Sequence, residues 1–106
     1  MLDDCNDAAK SSGIVYFPNV SIGWDNNARY PDYESKRVIR NSNPADFERY
    51  LRRIKAWADA NIAAPFPKLI TVNSWNEWTE GAYLEPDTQF GFGYLDAVRK
   101  VFGEIE

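Results

Sequence analysis

The sequence predicts an α/β fold built from two successive βα units, each a short strand followed by a long loop and a helix. Two apolar, β-branched runs alternate with two segments whose apolar residues recur at helical spacing. Strands that alternate with helices pair in parallel through right-handed crossovers. Two parallel strands do not bury a sheet, so we expect the 106 residues to be the C-terminal part of a larger domain.

The first unit begins with a strand over residues 14–17, which we expect to continue past Pro18 into residues 20–22. Gly13, just before it, could end a preceding helix. A polar and aromatic loop follows, from residue 23 to about residue 40. Loops of this length in a compact domain are usually functional or disordered, and the tryptophan, tyrosines and acids here favour function.

The helix of the first unit is predicted from about Pro44 to Asn61. Asn43 can cap the free amides of its first turn, where the missing N–H of Pro44 costs nothing. One stripe of apolar residues follows at helical spacing: Phe47, Tyr50, Leu51, Ile54, Trp57 and Ala58. Trp57 is therefore interpreted as a core residue. The arginines opposite, interleaved with acids, are interpreted as a solvated face.

The second unit begins with a strand over residues 68–74, whose apolar run is typical of a strand covered on both faces. A second helix is predicted from about residue 91 to residue 102. Residues 73–87, between them, carry two tryptophans, two asparagines and the acids Glu77 and Glu80. The carboxyl end of a strand is where α/β proteins keep their functional sites.

Composition excludes several function classes. The net charge of −4 argues against nucleic acid as a partner, because phosphate binding needs a basic face. The absence of histidine excludes Ser-His-Asp and Cys-His machinery within the chain, so acid–base chemistry falls to carboxylates, tyrosines or lysines. No apolar stretch approaches the roughly 20 residues that cross a bilayer. We expect no membrane span and a cytoplasmic location.

Glu77 and Glu80 are three residues apart and could face one cavity from a turn. Two carboxylates at one site push their pKa values apart, so that one donates a proton and the other acts as a base. Glycosyl transfer uses such pairs, and indole rings pack on the C–H faces of sugars. From residue types alone, the alternative stays open that both acids cap helix amides or pair with arginines.

Residues 73–87 and 90–95 closely resemble the C-terminal signature of the WbsX-like family. Its members belong with the glycoside hydrolase family 99 type of domain and occur in bacterial polysaccharide (O-antigen) loci. Residues 17–29 are similar to a second signature of that family, and the resemblance covers about residues 16–102. It implies a (β/α)8 TIM-type barrel whose last strand ends near Ser74. Residues 1–106 would then be its C-terminal part, with the other strands supplied by a longer chain or another segment.

The resemblance also implies roles for the two acids. Glu77 would be the base on the sugar 2-hydroxyl, which attacks the anomeric carbon, and Glu80 would be the general acid and base. This gives retention of configuration without a covalent enzyme intermediate. Thr79 stands where the related hydrolases carry histidine, and Tyr83-Leu84 also differs from their motif. These departures keep both acids in place, but the resemblance leaves open whether this chain shares the endomannosidase specificity of those hydrolases. Neither a metal nor a nucleotide cofactor is expected.

We therefore expect an enzyme that hydrolyses or transfers glycosidic bonds in an oligo- or polysaccharide. The candidate substrate-binding residues are Trp24, Asp25, Asn26, Arg29, Asn73, Trp75, Asn76, Trp78 and Glu85. Two alternatives concern single residues: an Asp25–Arg29 ion pair that only orders the loop, and a Glu85 that caps the last helix. The competing functions are a non-catalytic carbohydrate-binding protein and an inactive remnant.

Overall fold

The computed structural model describes residues 2–23 and 42–103, and it has the mixed helix and strand content that the sequence predicts. Its elements in chain order are helix α1 (Leu2–Ser12), strand β1 (Asn19–Ser21), helix α2 (Pro44–Asn61), strand β2 (Thr71–Asn73), strand β3 (Asn76–Glu77), a 3₁₀ turn (Trp78–Glu80), strand β4 (Ala82–Tyr83) and helix α3 (Gly93–Phe102).

Strands β1 and β2 pair in parallel, which confirms the predicted pairing, with Val20 opposite Val72. The Thr71 N–H donates to the Pro18 carbonyl at 3.1 Å, and the Ile22 N–H donates to the Asn73 carbonyl at 3.1 Å. Both strands are shorter than predicted. Residues 14–17 pair with no strand among the described residues, and β2 covers only residues 71–73 of the predicted 68–74.

Strand β2 is also less covered than its apolar sequence predicted. Thr71 is exposed and Val72 is only half-buried. Leu69, just before the strand, leaves 52% of its surface exposed. Parallel sheets are normally buried on both faces, so this part of the chain has apolar surface that the described residues do not cover.

Helix α2 has the predicted bounds, and its first turn has the predicted cap. The Asn43 side chain accepts the Asp46 N–H at 2.9 Å. Of the predicted stripe, Tyr50 is exposed, and Trp57 is half-buried with its ring edge-on to Tyr16 at 5.8 Å. The arginine face is solvated as expected, with ion pairs such as Arg52 to Glu48 at 3.2 Å.

One hydrophobic core lies between β1, α2 and α3. Its buried residues are Val20, Ile22, Phe47, Leu51, Ile54, Tyr94, Ala97 and Val101. Helix α3 begins two residues later than predicted, at Gly93. A Cβ on Gly93 would lie 2.6 Å from Pro44 Cγ, so the first turns of α2 and α3 are in close contact. Gly13, with φ of 74°, follows α1 as predicted.

The described elements form two small sheets, the parallel pair β1–β2 and the antiparallel pair β3–β4. A (β/α)8 barrel therefore stays a prediction about a larger domain. In the part of the chain that the structure describes, every helix is too short or too polar to cross a bilayer.

Candidate functional site

Residues 74–85 form a hairpin at the carboxyl end of β2, which we call the acid hairpin. Its strands pair antiparallel, with Asn76 opposite Tyr83. The Trp75 carbonyl accepts the N–H of Leu84 at 3.0 Å, and Ser74 Oγ donates to the Ala82 carbonyl at 2.7 Å. The sequence predicted a loop here, whereas the backbone closes on itself and holds the motif in a defined shape.

The tip of the acid hairpin is a single 3₁₀ turn with an acid at each end. Glu77 directly precedes the turn and Glu80 ends it. The turn closes at Gly81, which has φ of 64° and donates its N–H to the Trp78 carbonyl at 3.1 Å. Glu77 itself has φ of −84° and ψ of 69°, outside the helical region, so the two acids mark the two ends of the turn.

The carboxylate of Glu77 is held by its neighbour in the turn. Thr79 Oγ1 donates to Glu77 Oε1 at 2.7 Å. Glu77 and Glu80 are both half-buried, so both have access to solvent or substrate. Carboxyl groups of this kind can exchange protons with a bound molecule.

The end of β1 packs directly against the acid hairpin at two glycines. A Cβ on Gly23, which is buried, would lie 2.9 Å from the Gly81 carbonyl oxygen and 3.0 Å from Ser42 Oγ. This contact brings the start of the loop after β1 to the residue that follows Glu80. The predicted binding residues of that loop, Trp24, Asp25, Asn26 and Arg29, lie outside the described residues.

An aromatic stack connects the hairpin to the core. The Trp78 and Tyr83 rings are stacked with centroids 3.7 Å apart and planes inclined by 14°. The Tyr83 hydroxyl donates to Asp87 Oδ2 at 2.8 Å, and the Phe90 N–H donates to Asp87 Oδ1 at 2.5 Å. The Tyr83 ring also packs edge-on against the ring of the buried Tyr94, with the ring centroids 6.2 Å apart. Tyr83, held by Asp87 and Tyr94, thereby covers one face of the Trp78 indole and restrains its orientation.

The protonation states of this network follow from its surroundings. Burial, together with the hydrogen bond to Asp87, raises the pKa of Tyr83 to about 12. Burial alone would raise the pKa of Asp87. Hydrogen bonds from the Tyr83 hydroxyl and from the amides of Phe90, Gln89 and Gly91 outweigh it and hold this pKa below its usual value. Near neutral pH, Tyr83 is therefore the donor and Asp87 the ionised acceptor.

An open cavity of about 480 Å³ lies beside the aromatic stack, and we call it the Trp78 groove. It is lined by Trp78, Tyr83, Pro86, Asp87, Thr88 and Gln89. Of these residues, the sequence predicted Trp78 as a binding residue but not Tyr83, Asp87 or Gln89. The turn residues around Pro86 were the available signal, because Asp after Pro commonly orders a turn through its own side chain.

The other predicted site residues differ in their placement. Trp75 is 54% exposed, and Asn76 is exposed on β3. Asn73 is half-buried in β2, and its carbonyl is used by the sheet. The interpretation of Glu85 as a helix cap is wrong, because α3 begins after Phe92 without a side-chain cap. The carboxylate that binds amides before α3 belongs to Asp87.

The described residues show no cluster of three or more His, Cys, Asp or Glu side chains that could hold a metal ion.

Comparison with known proteins identifies the family. The model of the family described as "Glycosyltransferase WbsX" matches residues 3–98. The chain belongs to the WbsX glycosyltransferase family. Two relatives, each called "Uncharacterized protein WxcX" and found in two strains of Xanthomonas campestris pv. campestris, are 37% identical over 84 residues, or 79% of this chain. The WbsX-family chain spans only 12% of the length of these relatives. No solved structure matches it.

Proposed function

We propose that this WbsX-family chain supplies the acid–base pair of a site that cleaves or transfers glycosidic bonds. The observation that supports it best is the position of Glu77 and Glu80. They flank one 3₁₀ turn, at the carboxyl end of a parallel strand. This end of an α/β sheet is where catalytic residues gather. The membership in a glycosyltransferase family adds the substrate class, an oligo- or polysaccharide such as an O-antigen glycan.

In the proposed first step, Glu77 takes the proton of the sugar 2-hydroxyl, and the resulting oxygen attacks the anomeric carbon. The bond from that carbon to the leaving oxygen breaks, and Glu80 gives its proton to the leaving oxygen. A neutral 1,2-anhydro sugar and the free leaving group result. Thr79, which donates to Glu77, orients this base.

In the second step, Glu80 takes a proton from water or from an acceptor hydroxyl, whose oxygen attacks the anomeric carbon. The bond from that carbon to the 2-oxygen breaks, and Glu77 returns its proton to the 2-oxygen. Two inversions give net retention. Attack by water is hydrolysis and attack by a sugar hydroxyl is transfer, so one pair of acids serves both reactions.

We further propose that the chain is the C-terminal part of a (β/α)8 barrel of the glycoside hydrolase family 99 type. The parallel β1–β2 pair, the incomplete cover of β2 and the much greater length of the curated relatives support this. The remaining strands would cover the apolar surface around Leu69 and form the other walls of the site.

The 2-hydroxyl provides the direct test of this mechanism. The intact protein is given aryl glycosides with a free 2-hydroxyl and the matching 2-deoxy glycosides, and the first-formed product anomer is followed by proton NMR. We expect turnover with retention for the former and no turnover for the latter, because attack needs the 2-oxygen. An inverted product, or equal turnover of the 2-deoxy compounds, would rule the mechanism out.

A further inference from the structure

We propose that the Trp78 groove is a saccharide subsite that takes an uncharged sugar ring next to the ring held at Glu77 and Glu80. The ring-binding part of this inference depends only on the groove. Its relation to the bond that is cleaved rests on the proposed function.

The wall of the groove is a rigid aromatic surface. The Trp78 indole is covered on one side by Tyr83 at 3.7 Å, yet 45% of its surface stays exposed. Tyr83 is itself fixed by Asp87 and by its edge contact with Tyr94. An indole that is held from behind loses little conformational entropy when a ligand packs on its free surface, and this is the usual condition for an aromatic binding platform.

The rest of the lining suits hydroxyl groups rather than a purely apolar ligand. Thr88 and Gln89 are exposed at the groove and offer a hydroxyl and a side-chain amide. Pro86 adds a second apolar surface. A sugar ring presents apolar C–H faces and polar hydroxyl edges, and the groove has one kind of surface for each.

The charge of the lining selects against acidic sugars. Asp87 is the charged residue of the lining, and its carboxylate is ionised near neutral pH. None of the six lining residues is basic. Within this part of the described structure, a uronic acid or a phosphorylated sugar would meet the like charge of Asp87 with no cation among the six lining residues, whereas a neutral hexose would meet no like charge.

The groove shares one residue with the turn that carries the two acids. Trp78 lies between Glu77 and Glu80 in the 3₁₀ turn and also lines the groove. Because Trp78 is a sequence neighbour of the acid turn, the proposal places the next ring of a saccharide held at the acids on the indole. The two acids do not themselves line the groove. In this proposal the subsite therefore binds and positions the saccharide, and the acids transfer protons to and from it.

The structural alternative is that Asp87 only orders the turn before α3 and that Trp78 only covers Tyr83. Both contacts exist in the structure, and both would be kept without any ligand. The two interpretations differ in what they predict for sugar binding, which can be measured without turnover.

The test is ligand-observed saturation-transfer NMR on the intact protein near neutral pH. The probes are the methyl glycosides of glucose, galactose and mannose, and the corresponding methyl uronides. We expect at least one neutral glycoside to bind and its uronide to bind roughly fivefold or more weakly. Trp78→Ala should weaken neutral binding about tenfold, and Trp78→Phe should restore much of it.

Asp87→Asn separates charge from shape, because the amide keeps the size of the carboxylate. We expect the uronide to bind nearly as well as the neutral glycoside in this variant. Phe66→Ala is the matched aromatic control. Phe66 is 50% exposed and precedes β2, at the opposite end of the strand from the hairpin, so its loss should leave binding unchanged.

Three results would overturn the proposal: no binding of any neutral glycoside, equal binding of uronides by the unmodified protein, or unchanged binding by a folded Trp78→Ala variant. If Trp78→Ala does not fold, the Asp87→Asn comparison still decides. Activity that survives in glutamine variants of Glu77 and Glu80 would refute the proposed function and leave the subsite standing. Loss of turnover in those variants without groove binding would refute the subsite alone.

Discussion

Replacing either Glu77 or Glu80 by glutamine should lower turnover by about 10²–10⁴-fold in the intact protein while sugar binding is kept. Glutamine has nearly the same size and can still form hydrogen bonds, but it neither accepts nor donates a proton at neutral pH. Because the two acids act in the same two steps, the double variant should be little worse than either single one. Initial rates and a binding isotherm for each variant provide the measurement.

The control is Glu48→Gln on α2, which removes the same charge from a residue that pairs with Arg52 and lies outside the hairpin. Its turnover should match that of the unmodified protein. Full activity in both hairpin variants would eliminate the acid–base mechanism. If sugar still bound in that case, a non-catalytic carbohydrate-binding protein would become the better account, with Trp75 and Trp78 as its important residues.

Substituting Gly23 by alanine should destabilise the protein by about 1–3 kcal/mol and reduce turnover. The added Cβ would lie 2.9 Å from the Gly81 carbonyl oxygen, which is backbone and has to move, whereas Ser42 can rotate away. Gly81 follows Glu80, so the shift is transmitted to the turn that holds both acids. Small displacements of catalytic groups have large effects on rate. Denaturant unfolding and turnover should be measured on the same preparations.

Gly13→Ala is the contrasting control. Apart from its chain neighbours, no atom of the described residues lies within 4 Å of its added Cβ, so the loss of stability expected there comes from its φ of 74°. Gly13 follows α1 and lies outside the hairpin, so turnover should be unchanged. A Gly23→Ala variant with normal stability and normal turnover would show that the packing of β1 against the hairpin is not needed for the site.

The sequence predicted best those elements whose signals are local. Helix α2 has the predicted bounds because the Asn43 cap, the following Pro44 and the apolar stripe all lie within or next to the helix. Strand lengths depend on partners far along the chain. Residues 14–17 have a strand-like composition, but pairing begins only at the Pro18 carbonyl.

In the candidate site too, features with local signals were predicted and features that depend on the folded backbone were not. Glu77, Glu80 and Trp78 were predicted as site residues from their types and spacing together with the family resemblance of residues 73–87. The hairpin was missed because two strands of two residues each have no measurable periodicity. The contact of Tyr83 with Asp87 and the Trp78–Tyr83 stack arise only once the hairpin folds. For this reason Glu85 was given a capping role as an alternative, although Asp87 is the acid that binds the amides.

The proposed acid–base pair is tested most directly by a crystal structure of the intact Glu80→Gln protein with an oligosaccharide bound. We predict the glycosidic oxygen within about 2.6–3.2 Å of the side-chain amide that replaces the Glu80 carboxylate, and the sugar 2-oxygen at the same range from Glu77. The next ring should lie on the Trp78 indole. A saccharide bound elsewhere in the domain, with neither side chain within reach of the glycosidic bond, would contradict the assignment of the chemistry to these two glutamates.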